Sequence, residues 1–421
     1  MHKLKVLALA ESCNSLVGHA VHQIGILPID KYDVNLIVKK DLEDIYQERN
    51  LFKKLFLRIK RSVKYRLHIQ KEIKISPNNK YCFFGLTEKK FSAKDILNKY
   101  GQKPDIIMLF WYDKFITTQI IADLYKYTKA YIVFIFVDQF PLTGFCHYPC
   151  ECTGYQKKCN ACPAILSHKK EAIQQQKRHK KLLINIPKAI IATKADCEMA
   201  NLSLIFKNSL QFEWTYIPPI TLNTTKEEAR KKLGLPTNTF IIMYGMAYIH
   251  EERKGFKYFI EALKFLSSSK KTINKAIIAY IPGNISTDAT ISLNDINCYY
   301  PGRLSLDDLY VAYKAADIFI STSIADSGPM MVNNSIACGT PVISFNIGIA
   351  KTLVKHKQTG YIADFKSAFS IFKGLMFFLQ MPTSQYLKYQ KRCLKLAKKY
   401  QTINSPYDNL YNYVINSHLK M

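Results

Sequence analysis

Two kinds of apolar spacing alternate along the chain. Short, nearly unbroken apolar runs recur at "KVLALA" (5–10), "VNLIV" (34–38), "DIIMLFW" (105–111), "IVFIFV" (132–137) and "AIIAT" (189–193). They are too short for helices and lack a polar alternate position, so they predict strands buried on both faces. Between them lie stretches with helical spacing, such as "TTQIIADLYKYTK" (117–129). The scheme repeats in the second half with "FIIMYG" (240–245), "AIIAYI" (276–281), "DIFIST" (317–322) and "PVISF" (341–345). There "GFKYFIEALKFL" places Phe256, Phe259, Ile260 and Leu263 on one helix face. Buried strands alternating with helices predict parallel sheets covered on both sides, an α/β fold class.

A chain of 421 residues exceeds one ordinary core, so two domains are expected. The Pro- and Thr-containing "IPPITLNTTKEEARKKLGLP" (217–236) leads into a short helix and sets the boundary at 219/220. The expected parts are 1–219, 220–400 and a C-terminal segment, 401–421, whose "SPYDNLYNYVI" (405–415) crosses back to the first domain. Two doubly wound, Rossmann-like domains facing a cleft would bind ligands at the carboxyl ends of their strands.

Apolar residues make up 48% of the chain and aromatics 13%, which excludes a mostly disordered protein. The opening "MHKLKVLALAES" is less apolar than a signal-peptide core and reads as a first strand. The longest apolar runs, such as "AYIVFIFV" (130–137), fall far short of the roughly 20 residues that cross a bilayer. Eleven unevenly spaced cysteines fit reduced thiols in a cytoplasmic compartment better than a disulfide scaffold.

Charge changes the picture more. Sixty Lys and Arg against 32 Asp and Glu leave +28, which favours anionic surfaces or phosphorylated ligands. In "LFKKLFLRIKRSVKYRLHIQKEIKI" (51–75), basic residues from Lys53 to Arg66 interleave with Leu55, Phe56, Ile59 and Val63. That pattern suits an anionic membrane surface, or a solvated helix with one packed face. No groove-reading motif accompanies the charge, so nucleic acid is the poorer partner.

After the strand at 317–322, "SIADSGPMM" runs into a helical stretch. A strand, a Gly-containing loop and a helix N-terminus can hold a phosphate on free N–H groups. Gly328 permits close backbone approach, and Pro329 fits a first helical turn. Asp326 is followed eight positions on by Asn334, which opens into "SIACGTPV". In this the chain resembles the retaining glycosyltransferases of family 4, which have the GT-B fold. Further matches follow in order: "MYGMAYIHEERKGF", holding Arg253, Lys254 and Gly255; "YYPGRLSLDDLYVAYKAADIFISTS"; and "TGYIADF". The resemblance covers most of the chain and is most specific in its second half.

The resemblance implies an enzyme that moves a sugar from a nucleotide-sugar donor, with retention, onto a glycan or lipid-linked glycan. Capsule, O-antigen or exopolysaccharide assembly at the inner face of the membrane would be the setting. Asp326 would hold the donor sugar, Asn334 the ribose, and Arg253 and Lys254 the phosphates. These last two and Asp326 are the candidate catalytic set. Gly245, Gly302, Arg303 and the turn Ser327, Gly328, Pro329, Met330 and Met331 would complete the donor site, with Gly18 and Asp138 on the acceptor side. No metal is implied for catalysis, and the chain has no Asp-x-Asp.

Some positions depart from the family pattern. Asn334 replaces a Glu, Val17-Gly18 a Gly-Gly, and Val137-Asp138 a His-Asp, while Met108 and Phe110 stand at two His positions. A catalytically silent nucleotide-sugar-binding subunit is therefore one alternative. A zinc-containing nucleic-acid binder is another, prompted by the charge and by "FCHYPCECTGYQKKCNACPAIL" (145–166). In that insert (141–166), Cys146, Cys152, Cys159 and Cys162 include one Cys-x-x-Cys chelate spacing. A similar Cys-His-Tyr and Cys-x-x-Cys-Pro pair occurs in a subgroup of the family. A structural zinc and free thiols stand as the two readings, with the insert expected to shape the acceptor pocket.

Overall fold

A computed structural model describes residues 3–12, 27–49, 73–77, 80–87, 90–220, 222–245, 251–269, 275–284, 296–328, 330–402 and 405–418. Gly18, Pro329 and the basic stretch at 51–72 lie outside the described residues.

Twelve strands form two all-parallel six-stranded sheets. The first holds β1 (Leu4–Ala10), β2 (Tyr32–Val38), β3 (Ile106–Leu109), β4 (Tyr131–Ile135), β5 (Lys188–Ala192) and β6 (Leu210–Glu213), in the order β2-β1-β3-β4-β5-β6. The second holds β7 (Thr239–Met243), β8 (Ala276–Tyr280), β9 (Asn297–Tyr299), β10 (Ile318–Ser321), β11 (Val342–Phe345) and β12 (Gly360–Ala363), in the order β12-β11-β10-β7-β8-β9. Each is a Rossmann-like doubly wound sheet.

The apolar runs fill both faces as their pattern demands. In the first sheet, Leu7, Leu9, Ile107, Leu109, Ile132 and Phe134 enter one core. Their neighbours Val6, Ala8, Ile106, Met108 and Val133 enter another on the opposite face. In the second, Ile241, Met243 and Phe319 point one way, and Phe240, Ile242, Ile318 and Ile320 the other. Period-2 alternation between two apolar cores is what a fully buried parallel strand requires. Three strands escaped the pattern, β6, β9 and β12. All three are edge strands, and "LQFE" and "NCY" are mostly half or fully exposed.

The chain forms two compact units, 1–192 with 196–214 and 404–421, and 193–195 with 215–403. Within the first, the helix Pro406–His418 lays Tyr407, Leu410, Tyr411 and Val414 on the face formed by Val6, Ala8 and Met108. Lys31 pairs with Asp408 at 2.6 Å, and the Tyr32 hydroxyl donates to the Tyr407 carbonyl at 2.5 Å. The Tyr407 ring meets Trp214 edge-on at 5.7 Å. Tyr407→Ala should cost the first unit about 3–5 kcal/mol in chemical denaturation. Tyr407→Phe should be near neutral, because the buried hydroxyl has no hydrogen-bond partner.

Candidate active site

In the second sheet the strand order reverses between β7 and β10, which pair directly as Ile318↔Ile242 and Phe319↔Met243. Loops leaving the carboxyl ends of two such strands part in opposite directions and leave room for a ligand. The β7 loop carries Gly245, then the tight turn Glu252–Lys254, Gly255 and the helix Phe256–Ser268. The β10 loop carries Asp326, Ser327 and Gly328 into the helix Met330–Ala337.

The two loops are laced by their backbones. Ile324 N–H donates to the Arg253 carbonyl at 2.7 Å. Thr322 Oγ1 lies 2.9 Å from the Gly255 carbonyl oxygen and 3.1 Å from that of Lys254. Gly255 has φ +69°, and a Cβ there would stand 2.0 Å from the Thr322 carbonyl oxygen. Gly348, at φ +48°, approaches equally closely: a Cβ would lie 2.6 Å from Asp326 O and 2.8 Å from Ser327 O. Only glycine fits either place.

This lacing brings three charges of the candidate set into contact. Lys254 Nζ is 2.5 Å and Arg253 Nη1 3.1 Å from the same Asp326 oxygen, Oδ2. Arg253 Nη2 reaches Glu251 at 2.6 Å. Burial alone would raise the Asp326 carboxyl, but Lys254 and Arg253 outweigh it and hold the group below the usual carboxylate range. Burial pulls the Lys254 ammonium below its ordinary value, against the opposing charge of Asp326. Beside them, Ser327 Oγ and Asn334 Oδ1 are buried without a hydrogen-bond partner. Buried polar atoms rarely stay unmatched, so these two leave hydrogen-bonding capacity beside the charged cluster.

Gly245 joins the group through Met331, whose Cε would lie 2.5 Å from a Cβ at Gly245. Gly302 and Arg303 do not join it through any described contact. They follow the edge strand β9, where the Gly302 carbonyl accepts from Gly283 N–H at 2.9 Å. Sequence reasoning missed Thr322 and Gly348, whose roles depend on contacts between loops, and Glu251, which pairs with Arg253 in its own loop. Of the three, only Gly348 left a signal, a glycine just after a predicted strand.

In the first unit Asp138 follows β4 and is part of a closed network. Its Oδ2 accepts from Trp111 Nε1 at 2.7 Å and meets His147 Nδ1 at 2.6 Å, while Oδ1 accepts from Phe140 N–H at 2.9 Å. His147 Nε2 meets Asp113 Oδ2 at 3.0 Å, and Asp113 also accepts from the Thr87 hydroxyl. Burial disfavours the imidazolium, but the flanking carboxylates of Asp138 and Asp113 push its pKa up to about 9. Asp113, Trp111 and His147 were not singled out by sequence, since only their meeting marks them.

Cys146, Cys152, Cys159 and Cys162 line one small apolar cavity with Tyr81, Phe145 and Pro149. Among the described residues, no group of three or more His, Cys, Asp or Glu side chains is arranged to hold a metal ion. Cys159 and Cys162, with Cys146 against them, pack with Phe83, Phe145, Ile165 and Ala172 as a satellite apolar core.

Residues 225–400 match the family model Glycosyl transferases group 1. The matched segment contains Arg253, Lys254 and Asp326. Over 146 residues, the chain is 23% identical to D-inositol 3-phosphate glycosyltransferase of Pseudarthrobacter chlorophenolicus, covering 33% of this chain and 34% of that protein. Over 178 residues it is 25% identical to the Escherichia coli UDP-Gal:alpha-D-GlcNAc-diphosphoundecaprenol alpha-1,3-galactosyltransferase, covering 41% and 44%. The chain thus spans about a third to a half of the length of the curated relatives it matches.

Among solved structures, sucrose-phosphate synthase from Thermosynechococcus elongatus is similar with a TM-score of 0.61 at 13% identity, each chain covered in full. Anabaena HepE in complex with UDP and glucose gives 0.60 at 14% identity, covering 98% of this chain and 100% of the other. These likenesses are of fold. Both are consistent with two parallel-sheet Rossmann-like domains, the composition of the GT-B fold.

Two predictions follow from the contacts. Gly255→Ala should destabilise the second unit by about 3 kcal/mol or more in denaturant titration, since the Thr322 carbonyl cannot move without breaking the β10 loop. For His147, the folded-state pKa of about 9 lies above the ordinary 6.5. Its stabilisation is therefore fully present below pH 6.5 and lost as pH rises through about 9. His147→Asn should lower stability below that window by on the order of 3 kcal/mol, read as a lower Tm, and flatten the decline of Tm across it.

Proposed function

We propose that the chain is a glycosyltransferase whose second unit binds a nucleotide-sugar donor at the β7–β10 reversal. The observation that carries this reading is the convergence of Lys254, Arg253 and Asp326 beside the unpartnered Ser327 Oγ and Asn334 Oδ1. The matching family segment and the UDP-containing structural relative support it. In this reading Lys254 and Arg253 neutralise the departing diphosphate, and Asn334 offers its amide to a ribose hydroxyl. Asp326 faces the sugar. Fixed cations lower the barrier because negative charge develops on the leaving group as the bond to it breaks.

The reaction we infer is retaining. The bond from the anomeric carbon to the phosphate oxygen breaks, its electron pair leaving with the diphosphate. An acceptor hydroxyl oxygen bonds to that carbon from the same face, and its proton passes to the departing phosphate. No protein nucleophile is needed in this scheme, and no metal. The acceptor we infer is a glycan, lipid-linked as in the named function of the Escherichia coli relative, and the first unit would bind it. Surface-glycan assembly at the cytoplasmic face of a membrane fits such an acceptor. Among the described residues, no helix is long and apolar enough to cross a membrane.

Thermal unfolding with UDP-, GDP-, ADP- and CMP-sugars tests the donor reading. One donor class at about a hundredfold over its Kd should stabilise by about 2.7 kcal/mol, a Tm rise of several degrees. Lys254→Ala should abolish the shift. No shift with any donor would overturn the reading. Binding without sugar transfer to any glycan acceptor and without donor hydrolysis would favour a silent binding subunit, for which the Asn at position 334 is the specific motive.

A further inference from the structure

The pairing around Asp326 has a feature that donor binding alone does not require. Both candidate phosphate-binding cations spend their contact on one carboxylate oxygen, Asp326 Oδ2, at 2.5 and 3.1 Å. A carboxylate oxygen and a phosphate oxygen are equivalent acceptors for ammonium and guanidinium N–H groups. An arriving diphosphate would therefore compete with Asp326 for Arg253 Nη1 and for the charge of Lys254. The pair is also lopsided in access. Lys254 keeps 23% of its side-chain surface exposed and Asp326 only 6%. The backbone beneath is pinned by Ile324 N–H on the Arg253 carbonyl and by Gly348 against the carbonyl oxygens of Asp326 and Ser327. What can move is the Asp326 side chain.

We propose that Asp326 is a built-in competitor for the diphosphate: it neutralises Lys254 and Arg253 until the donor displaces it, and recaptures them as the nucleoside diphosphate leaves. This rests on the donor-site reading above and adds a role in product release. The displaced carboxylate is freed at the moment a sugar must be held, so cation pairing and sugar contact alternate on one side chain. Competition lowers apparent affinity in proportion to the fraction of clamps already free. The other carboxylate of the cluster, Glu251, pairs with Arg253 through Nη2 and leaves Nη1 for the exchange.

Removing the competitor's charge should therefore tighten product binding while impairing transfer, the reverse of what loss of a simple ligand contact would do. The test is isothermal titration of wild type, Asp326→Asn and Lys254→Ala/Asp326→Asn with UDP, GDP, ADP and inorganic diphosphate. Asp326→Asn should bind the preferred diphosphate about tenfold tighter, and the double variant should lose that gain. Wild type that binds a diphosphate, with Asp326→Asn binding equally or more weakly, would overturn the competitor role and leave the donor site standing. No binding by either protein would sink the donor-site reading and this proposal with it. Should Asp326→Asn fail to fold, carbodiimide modification of wild type reads the same exchange by mass spectrometry. Diphosphate should raise labelling of Asp326 severalfold; unchanged or reduced labelling would overturn the proposal.

Discussion

Everything in the second unit depends on the parallel pairing of β7 with β10, out of chain order. Between them the chain passes through two further strands and two helices before it returns beside its starting point. Only that return sets the β7 turn against the β10 loop, at a place where both have free backbone groups. Once there, the tolerance is set by carbonyl oxygens. Thr322 O presses on Gly255, and Asp326 O and Ser327 O press on Gly348. The glycines are the consequence of two backbones being forced within contact distance. The charges then meet because their backbones do.

The sheets were largely legible in the sequence, because strands buried on both faces must be apolar throughout. Nine runs marked strands that the structure contains. The edge strands were not legible. An edge strand has one unpaired side and a wet face, so nothing forces "LQFE" or "NCY" to be apolar. The site divides along a similar line. Asp326, Lys254 and Arg253 could be picked out because their motifs are local and resemble a family pattern. Thr322 and the close approach at Gly348 could not, because each acts through a contact made only when distant loops meet. His147 was passed over for the same reason: its neighbours Asp113 and Asp138 come from two other segments.

The cysteine insert shows what spacing alone leaves open. Cys159-x-x-Cys162 has the interval of a zinc chelate, and all four thiols do reach one cavity. The cavity is lined by Tyr81, Phe145, Pro149 and Ala164, and Cys159 and Cys162 belong to an apolar cluster. Thiols behave there as small hydrophobes, a use open to cysteine wherever burial keeps it protonated. Burial does so here, pushing Cys159 up to about 12.

Among the mixed-charge clusters of the described residues, those around His147 and Asp326 differ in how fully their oxygens and donors are used. In the first unit, one imidazolium lies between two carboxylates; Thr87 and the Phe140 N–H occupy the remaining oxygens, and Trp111 shares Asp138 Oδ2 with the imidazole. Such a network is closed. Its work is to hold the ends of β3 and β4 and the start of the cysteine insert together, and a ligand could enter only by breaking it. In the second unit, two cations crowd one oxygen of a single carboxylate, and unmatched Ser327 Oγ and Asn334 Oδ1 lie in the same loop and helix. That arrangement holds its charges in balance but leaves hydrogen-bonding capacity unused. Buried capacity of that kind costs stability unless something binds to it. The closed cluster is therefore the better explained by folding, and the open one by chemistry.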